Sequence, residues 1–435
     1  MKTLKQISKI ALISLFILTG INNCFAEDIK DKFEKTFKLN KTGEFSFSCY
    51  ETDLKINTWD KNEVKLTGEI IINGGSSEDQ KKLIDAFKNP EISESENSLT
   101  IKTDIAKNTF VIGPFKKITL VNGNTIRVDK YKASYTLWIP ESVAFNLKSK
   151  YNNIDIANLT GALDFNLYEV DLTLAGFKRG NFNMKYSSAQ LVKGETAKFD
   201  VYECELEIKE INTFSTNTKY SKFNIGTVGM IALGSYEDDF KIQNLIQGIT
   251  GQAKYSDFNI ESNTQVIKMD VYESDIYAKN VKELEYTSKY STFSAQNINS
   301  IKCESLYETK IYAVVVDDFS CKESKYDNIS FKTITNSISI VSAYELDMNI
   351  ESVKQGFKSF KGDFKYGSIK LPLDPSIEFS INFKTTYGNV DFPKNRVKIK
   401  IMDFEDSKKS FEGQTSENPA CKIEFTAYDT NFDLE

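Results

Sequence analysis

The chain has 435 residues, of which 40% are apolar and 27% charged, and its net charge is −6. That balance favours neither nucleic acid nor an anionic membrane surface as a partner of the chain as a whole. Histidine is absent and arginine occurs only at Arg127, Arg179 and Arg396, which excludes imidazole metal sites and histidine-activated nucleophiles and argues against guanidinium clamps on phosphate or carboxylate.

The first 26 residues read as an export signal. Lys2, Lys5 and Lys9 precede an apolar run from Ile10 to Ile21, and Cys24-Phe25-Ala26 permits cleavage after Ala26. The run is too short for a spanning helix. A lipid anchor on Cys24 is the other outcome, with Ala26-Glu27-Asp28 resembling the export signal of Bacteroidetes surface lipoproteins. Both place the chain outside the cytoplasm, in the periplasm, at the outer-membrane surface or in the medium. Cys49, Cys204, Cys303, Cys321 and Cys421 remain, an odd number without CxxC spacing. They read as buried thiols, and Cys303 and Cys321, about one repeat apart, could be bridged.

Residues 27–149 read as a β-rich opening segment and cap. Residues 27–38 are charged and suggest a flexible lead-in. Phe45 and Phe47 alternate with polar residues as in a strand, and Tyr50-Glu51 follows. Val64–Ile72 is a further strand ended by Gly74-Gly75. Ser77 can cap a helix over 77–88, with Leu83, Ile84 and Phe87 on one face and Pro90 beyond. Strands are predicted near 98–103, 109–112, 118–121, 125–128 and 134–139, with a hairpin turn at Asn122-Gly123.

Residues 150–392 carry a repeat. Two motifs alternate: Lys-Tyr-Ser, as in Lys185-Tyr186-Ser187, Lys219-Tyr220-Ser221 and Lys254-Tyr255-Ser256, and Tyr-Glu, as in Tyr202-Glu203, Tyr236-Glu237 and Tyr272-Glu273. Around each tyrosine the apolar positions follow period two with one gap of three. Two successive outward residues mark a bend. Aligned on the first inward residue after that bend, thirteen positions from Asn152 to Gly367 are mostly 17–19 residues apart. This predicts an all-β parallel β-solenoid, a single-stranded β-helix with rungs of 17–18 residues, about thirteen of them stacking to roughly 60 Å. Two inward columns follow, one through Leu206, Phe223, Phe240 and Phe258, the other through Ile208, Ile225, Ile242 and Ile260. The small residues at the bend can bond the turning backbone. On the outer edge, Lys185, Tyr202, Lys219, Tyr236, Lys254 and Tyr272 form one column, and Tyr186, Glu203, Tyr220, Glu237, Tyr255 and Glu273 the next. This checkerboard offers each lysine a tyrosine face and a diagonal glutamate, and opposes slippage by one rung.

Residues 393–435 read as a C-terminal cap, with 403–420 a loop and 421–434 returning to strand. Tyr387-Gly388 resembles one more rung, and Tyr428-Asp429 repeats the tyrosine–acid motif.

Several stretches resemble the putative-adhesin family of bacterial domains of unknown function. They are Phe45–Leu66 with its Thr58-Trp59-Asp60-Lys61-Asn62-Glu63-Val64 turn, Tyr135-Thr136-Leu137-Trp138-Ile139-Pro140, and Tyr151-Asn152-Asn153-Ile154-Asp155-Ile156 with Thr160-Gly161. The chain departs from the family's glycines at Asn152, Ser187 and Ser221. The resemblance implies a parallel β-solenoid at the envelope of Bacteroidetes-type bacteria and no catalytic residues or cofactor.

An enzymatic reading needs paired acids. Asp238 and Asp239, Asp317 and Asp318, and Asp270 are the candidates, and a calcium site at Asp238 and Asp239 is conceivable. An aspartate at the bend reads first as a group bonding turn amides. The sequence therefore points to a non-enzymatic extracytoplasmic β-solenoid in cell-surface adhesion or protein interaction, its partner an envelope protein or glycan. The alternative is a carbohydrate-binding or carbohydrate-active β-helix, favoured if a groove holds three or more acids on consecutive rungs. A third reading is an envelope assembly or stress component with a specific protein partner.

Overall fold

A computed structural model describes residues 28–435 except 113 and 114. The expected export signal and Cys24 lie outside the described residues. Among the described residues, no helix is long and apolar enough to cross a membrane.

The chain is a parallel β-solenoid. From Ser188–Tyr202 to Lys310–Lys325, each rung is one bent strand of 15 or 16 residues paired in parallel with the next. The two apolar columns stack in register: Leu206 on Phe223 on Phe240 on Phe258, and Ile208 on Ile225 on Ile242 on Ile260. All are buried. The Phe223, Phe240 and Phe258 rings stack with centroids 4.6 and 5.0 Å apart. No rung can bury its inner face alone, so the fold is stable only as a stack.

Each rung has more bends than the sequence reading found. In Glu205–Lys219 the inward residues are Leu206, Ile208, Ile211, Phe214, Thr216 and Thr218. Outward pairs therefore occur at Lys209-Glu210 and Asn212-Thr213 as well as at Lys219-Tyr220. The single inward residue between the first two corners forms a third column, which includes Val228, Leu245, Val281 and Ile298. One apolar residue between two polar pairs has neither strand nor helix period, so pattern alone does not mark it.

At the N-terminal end, Glu44–Tyr50 and Asp53–Trp59 stack in parallel on the long strand Ala144–Lys185. Residues before and between them form a cap in which Ile29–Lys38 and Lys130–Pro140 each pair antiparallel with Glu63–Asn73. The expected flexible lead-in at 27–38 is thus largely strand. Its apolar signal is thin because lysines fill the outward positions, while Phe33 packs edge-on against Phe87 at 5.2 Å. Helix α1 spans Ser77–Lys88 as predicted, but its cap is Ser76, whose Oγ accepts from the Asp79 amide at 3.1 Å. Leu83 and Phe87 are its buried face.

At the other end the expected loop at 403–420 is mostly a hairpin, Lys398–Glu405 against Lys408–Gln414. Its charges sit on exposed strand faces. The final strand, Cys421–Asp433, does not follow chain order. It inserts between Ser359–Lys370 and Phe379–Thr386 and runs parallel to both. The five cysteines outside the export signal are free and buried. Cys303 and Cys321 are register partners on adjacent rungs and are not bridged.

Truncating Phe240 to alanine should cost about 3–5 kcal/mol of unfolding free energy, as for other buried rings. Its outward neighbour Lys241→Ala should change little. Urea unfolding followed by circular dichroism distinguishes the two.

Candidate functional site: a tyrosine ladder along one edge

The ladder begins with backbone geometry. In sixteen tiers the residue at the bend has a left-handed conformation without being glycine: Glu51, Tyr151, Glu169, Tyr186, Glu203, Tyr220, Glu237, Tyr255, Glu273, Tyr290, Glu308, Tyr326, Glu345, Tyr366, Tyr387 and Asp429, with φ between 45° and 65°. Side chains other than glycine disfavour this region. What holds it is a buried rail just inside the bend. Ser221 Oγ accepts from the Cys204 amide one rung away at 3.1 Å and donates to the Lys219 carbonyl at 2.9 Å. Ser256 does the same for the Asp238 amide and the Lys254 carbonyl, at 3.1 and 2.9 Å. Ser187 and Ser291 repeat the arrangement. Each small hydroxyl thereby satisfies an amide that the bend turns away from the strand ladder.

Asp238 belongs to this rail. One carboxylate oxygen accepts from the Ser221 amide at 2.8 Å and Thr218 Oγ1 at 3.1 Å, the other from Ser235 Oγ at 2.6 Å and the Tyr236 amide at 2.9 Å. Burial raises its pKa and the hydrogen bonds oppose that rise. Asp327 is held in the same way by Thr309, Ser324 and Lys325, and burial pushes its carboxyl up to about 6. Asp239 faces the other way. It is in register with Asp257 and Asp275 on the next two rungs, and burial together with those two neighbours raises the Asp257 pKa. Asp238 and Asp239 therefore do not share a site. The sequence reading missed Asp257 and Asp275, although each lies one residue beyond an aligned bend serine.

On the outer edge the register brings the candidate residues into the two columns. Lys185 pairs with Tyr202, Tyr202 with Lys219, Lys219 with Tyr236, Tyr236 with Lys254, and Lys254 with Tyr272. Tyr186, Glu203, Tyr220, Glu237, Tyr255 and Glu273 occupy the adjoining left-handed positions. The contacts differ from the expected lysine-centred ones. Among the described residues no ion pair joins a ladder lysine to a ladder glutamate. Of the ladder lysines, only Lys150 over Tyr168 at 5.7 Å and Lys219 over Tyr236 at 6.0 Å sit on a tyrosine face.

The tyrosines contact one another instead. Tyr186, Tyr202, Tyr220, Tyr236, Tyr255 and Tyr272 meet in sequence, edge to face, at 5.4–5.7 Å. The same contacts run from Tyr50 at one cap to Tyr387 at the other, passing through Tyr428. Alternation explains the geometry. Rings at the same position in every rung stack face to face, as Phe223, Phe240 and Phe258 do in the core, whereas the tyrosines alternate between two positions. Offsetting every second ring by one residue lets edges meet faces, the preferred aromatic arrangement. Tyr186, Tyr220 and Tyr255 remain 41–43% exposed, so sixteen tiers make an aromatic stripe of roughly 75 Å. A neighbouring shallow hollow holds Lys268, Glu285, Lys302, Glu304 and Lys322. Two of its acids are paired, Glu285 with Lys268 at 2.6 Å and Glu304 with Lys322 at 2.6 Å, while the candidate Asp270 lines the hollow without an ion pair among the described residues.

Two measurements follow. Tyr236→Ala should lower the urea midpoint at least twice as far as Lys219→Glu, Glu237→Lys or their combination. Equal effects would return register control to the charges. Asp327 yields a pH signature. Its folded pKa of about 6 exceeds its ordinary value of 3.8, so the folded chain holds the proton more tightly. That stabilisation is present below pH 4 and is lost as pH rises to about 6, at most about 3 kcal/mol. Asp327→Ser should flatten the stability profile across that window.

No protein-family model matches the chain, and no curated protein matches it. Solved structures similar to the chain include three bacterial proteins. One is described as a putative cell adhesion protein from Clostridium sporogenes, 9% identical over 93% of this chain and 100% of that one, with a TM-score of 0.17. Another is a putative lipid binding protein from Parabacteroides distasonis, 12% identical over 74% and 96%, TM-score 0.21. The third is a putative adhesin from Bacteroides fragilis, also 12% identical over 74% and 96%, TM-score 0.22. At these TM-scores the likenesses add nothing to the strand pairing seen in the chain itself.

Proposed function

We propose that the protein is a non-enzymatic extracytoplasmic solenoid that acts in cell-surface adhesion or protein interaction through its tyrosine edge. The observation that carries this reading is the uninterrupted, partly exposed aromatic stripe. Long flat surfaces rich in tyrosine suit extended partners, because each ring offers contact area at little conformational cost. The export signal supports a location beyond the cytoplasm, whether the chain is cleaved after Ala26 or anchored at Cys24. The acids offer little support for an enzyme. Asp238 accepts four hydrogen bonds from turn donors, Asp317 accepts from Asn299 and Thr335, and one oxygen of Asp318 accepts from Asn336 and Ser337.

One observation favours carbohydrate binding as a second reading. Asp239, Asp257 and Asp275 stack on three consecutive rungs, although on an open strand face. A pull-down from intact envelopes, paired with a glycan array, separates the two. The parent should capture an envelope protein, and Tyr220→Ala with Tyr255→Ala should reduce capture several-fold. Undiminished capture by the double variant would remove the ladder as the binding surface. Glycan binding abolished by Asp257→Asn would establish the second reading.

A further inference from the structure

The N-terminal cap carries a small separate sheet of three antiparallel strands, Ala106–Ile112, Phe115–Leu120 and Thr125–Val128. Its inner face is well buried: Ile118, Leu120, Ile126 and Val128 are at most 1% exposed. Its far end is not. Phe110, Val111 and Ile112 are 60%, 72% and 59% exposed. Three successive large apolar residues in water are unusual on a folded surface; the strand Lys398–Glu405 also exposes Ile399, Ile401, Met402 and Phe404, but not as three in a row.

Register places cations around them. Phe110 lies opposite Lys117, which lies opposite Arg127, and Val111 lies opposite Lys116. The end is therefore an apolar tip beside a row of basic groups, whereas the chain as a whole is acidic at −6. A second copy docked on this tip by a two-fold axis would bring Lys117 and Arg127 near their own like charges. An interface that is apolar inside and anionic at its rim matches both parts, and an anionic bilayer has that order: acyl chains beneath phosphate.

Asp28, the first described residue, accepts from Asn73 Nδ2 at 2.7 Å, and the Asn73 carbonyl accepts from the Asp129 amide, one residue beyond Val128. Val128 lies opposite Lys116, at the tip end of the sheet. Asp28 thus lies beside the tip end of the sheet.

We infer that this tip is a peripheral membrane-docking site, in which Phe110, Val111 and Ile112 enter an anionic phospholipid surface while Lys117 and Arg127, on one face of the sheet, meet its phosphates; Lys116, on the other face, sits over the Tyr131 ring. The solenoid is then held by its N-terminal end. The inference stands apart from the function proposed for the tyrosine edge, which lies elsewhere on the molecule.

The full chain tests it, with the probe at the tip so that binding through residues 1–27 cannot imitate it. In Phe110→Trp made on a Trp59→Phe, Trp138→Phe background, so that position 110 is the sole emitter, tryptophan emission should shift to the blue and be quenched by brominated phosphatidylcholine in vesicles that also contain phosphatidylglycerol. It should stay unshifted with phosphatidylcholine alone. Lys117→Glu with Arg127→Glu should weaken vesicle binding by about tenfold or more, since each basic group near an anionic surface contributes about fivefold. Unchanged melting would show that the exposed substitutions leave the fold intact. Emission from the Phe110→Trp variant that stays aqueous with both vesicles overturns the inference. So does emission that shifts with protein concentration in the absence of lipid, which would identify self-association instead.

Discussion

The structure depends on one repeated hydrogen bond, from a backbone amide at the bend of one rung to a small side chain at the bend of the next. The left-handed turn points that amide away from its strand partner. Left alone in the interior, it would cost about 1–3 kcal/mol in each tier. Ser221, Ser256, Ser274 and Ser291 accept it, and Asp238 and Asp327 do so where a carboxylate takes the place of the hydroxyl. Since donor and acceptor sit on different rungs, the bend of each tier is complete only when its neighbour is in place. The turn that fixes the shape of one rung is therefore also a device that binds two rungs together.

The edge outside the rail follows from the same turn. Glycine would adopt the left-handed bend at less cost, yet the chain uses tyrosine and glutamate there. The ring contacts give a reason. A tyrosine in the left-handed position leans across to the tyrosine one residue earlier in the next rung, and glycine would break the series. The same alternation produces the two-rung sequence period. A true repeat of one rung thus looks like a repeat of two, because ring geometry and not the backbone sets the longer period.

Much of this was legible in the residues. Period-two patterning around the tyrosines reveals the rung length and both major inward columns, and Tyr50, Tyr387 and Tyr428 mark tiers contributed by the caps. The corners flanking Ile211 were not legible, since a lone inward residue between outward pairs has no periodicity to detect. The ring contacts were missed because lysine between tyrosines in one column suggests a cation–π ladder, while the partners of each tyrosine lie diagonally in the adjoining column. The candidate acids separated for a simple reason: Asp238 and Asp239 are successive strand residues and point to opposite faces. What set Asp239 beside Asp257 and Asp275 was rung spacing rather than sequence proximity.

The placement of the final strand has a consequence for how the chain reaches its folded form. Rungs up to Ser359–Lys370 can be added in the order in which they are synthesised, each on the one before. The next tier in space is Cys421–Asp433, which is made after Phe379–Thr386 and the outer hairpin. Phe379–Thr386 can pair with Lys408–Gln414 beforehand, but it joins the solenoid only once Cys421–Asp433 is in place. This favours a two-stage course, with stepwise growth followed by a single closing event that seats two tiers and the outer hairpin together. A chain interrupted before Cys421 would keep most of its core yet present the bare edge of Ser359–Lys370, a template for pairing with another chain.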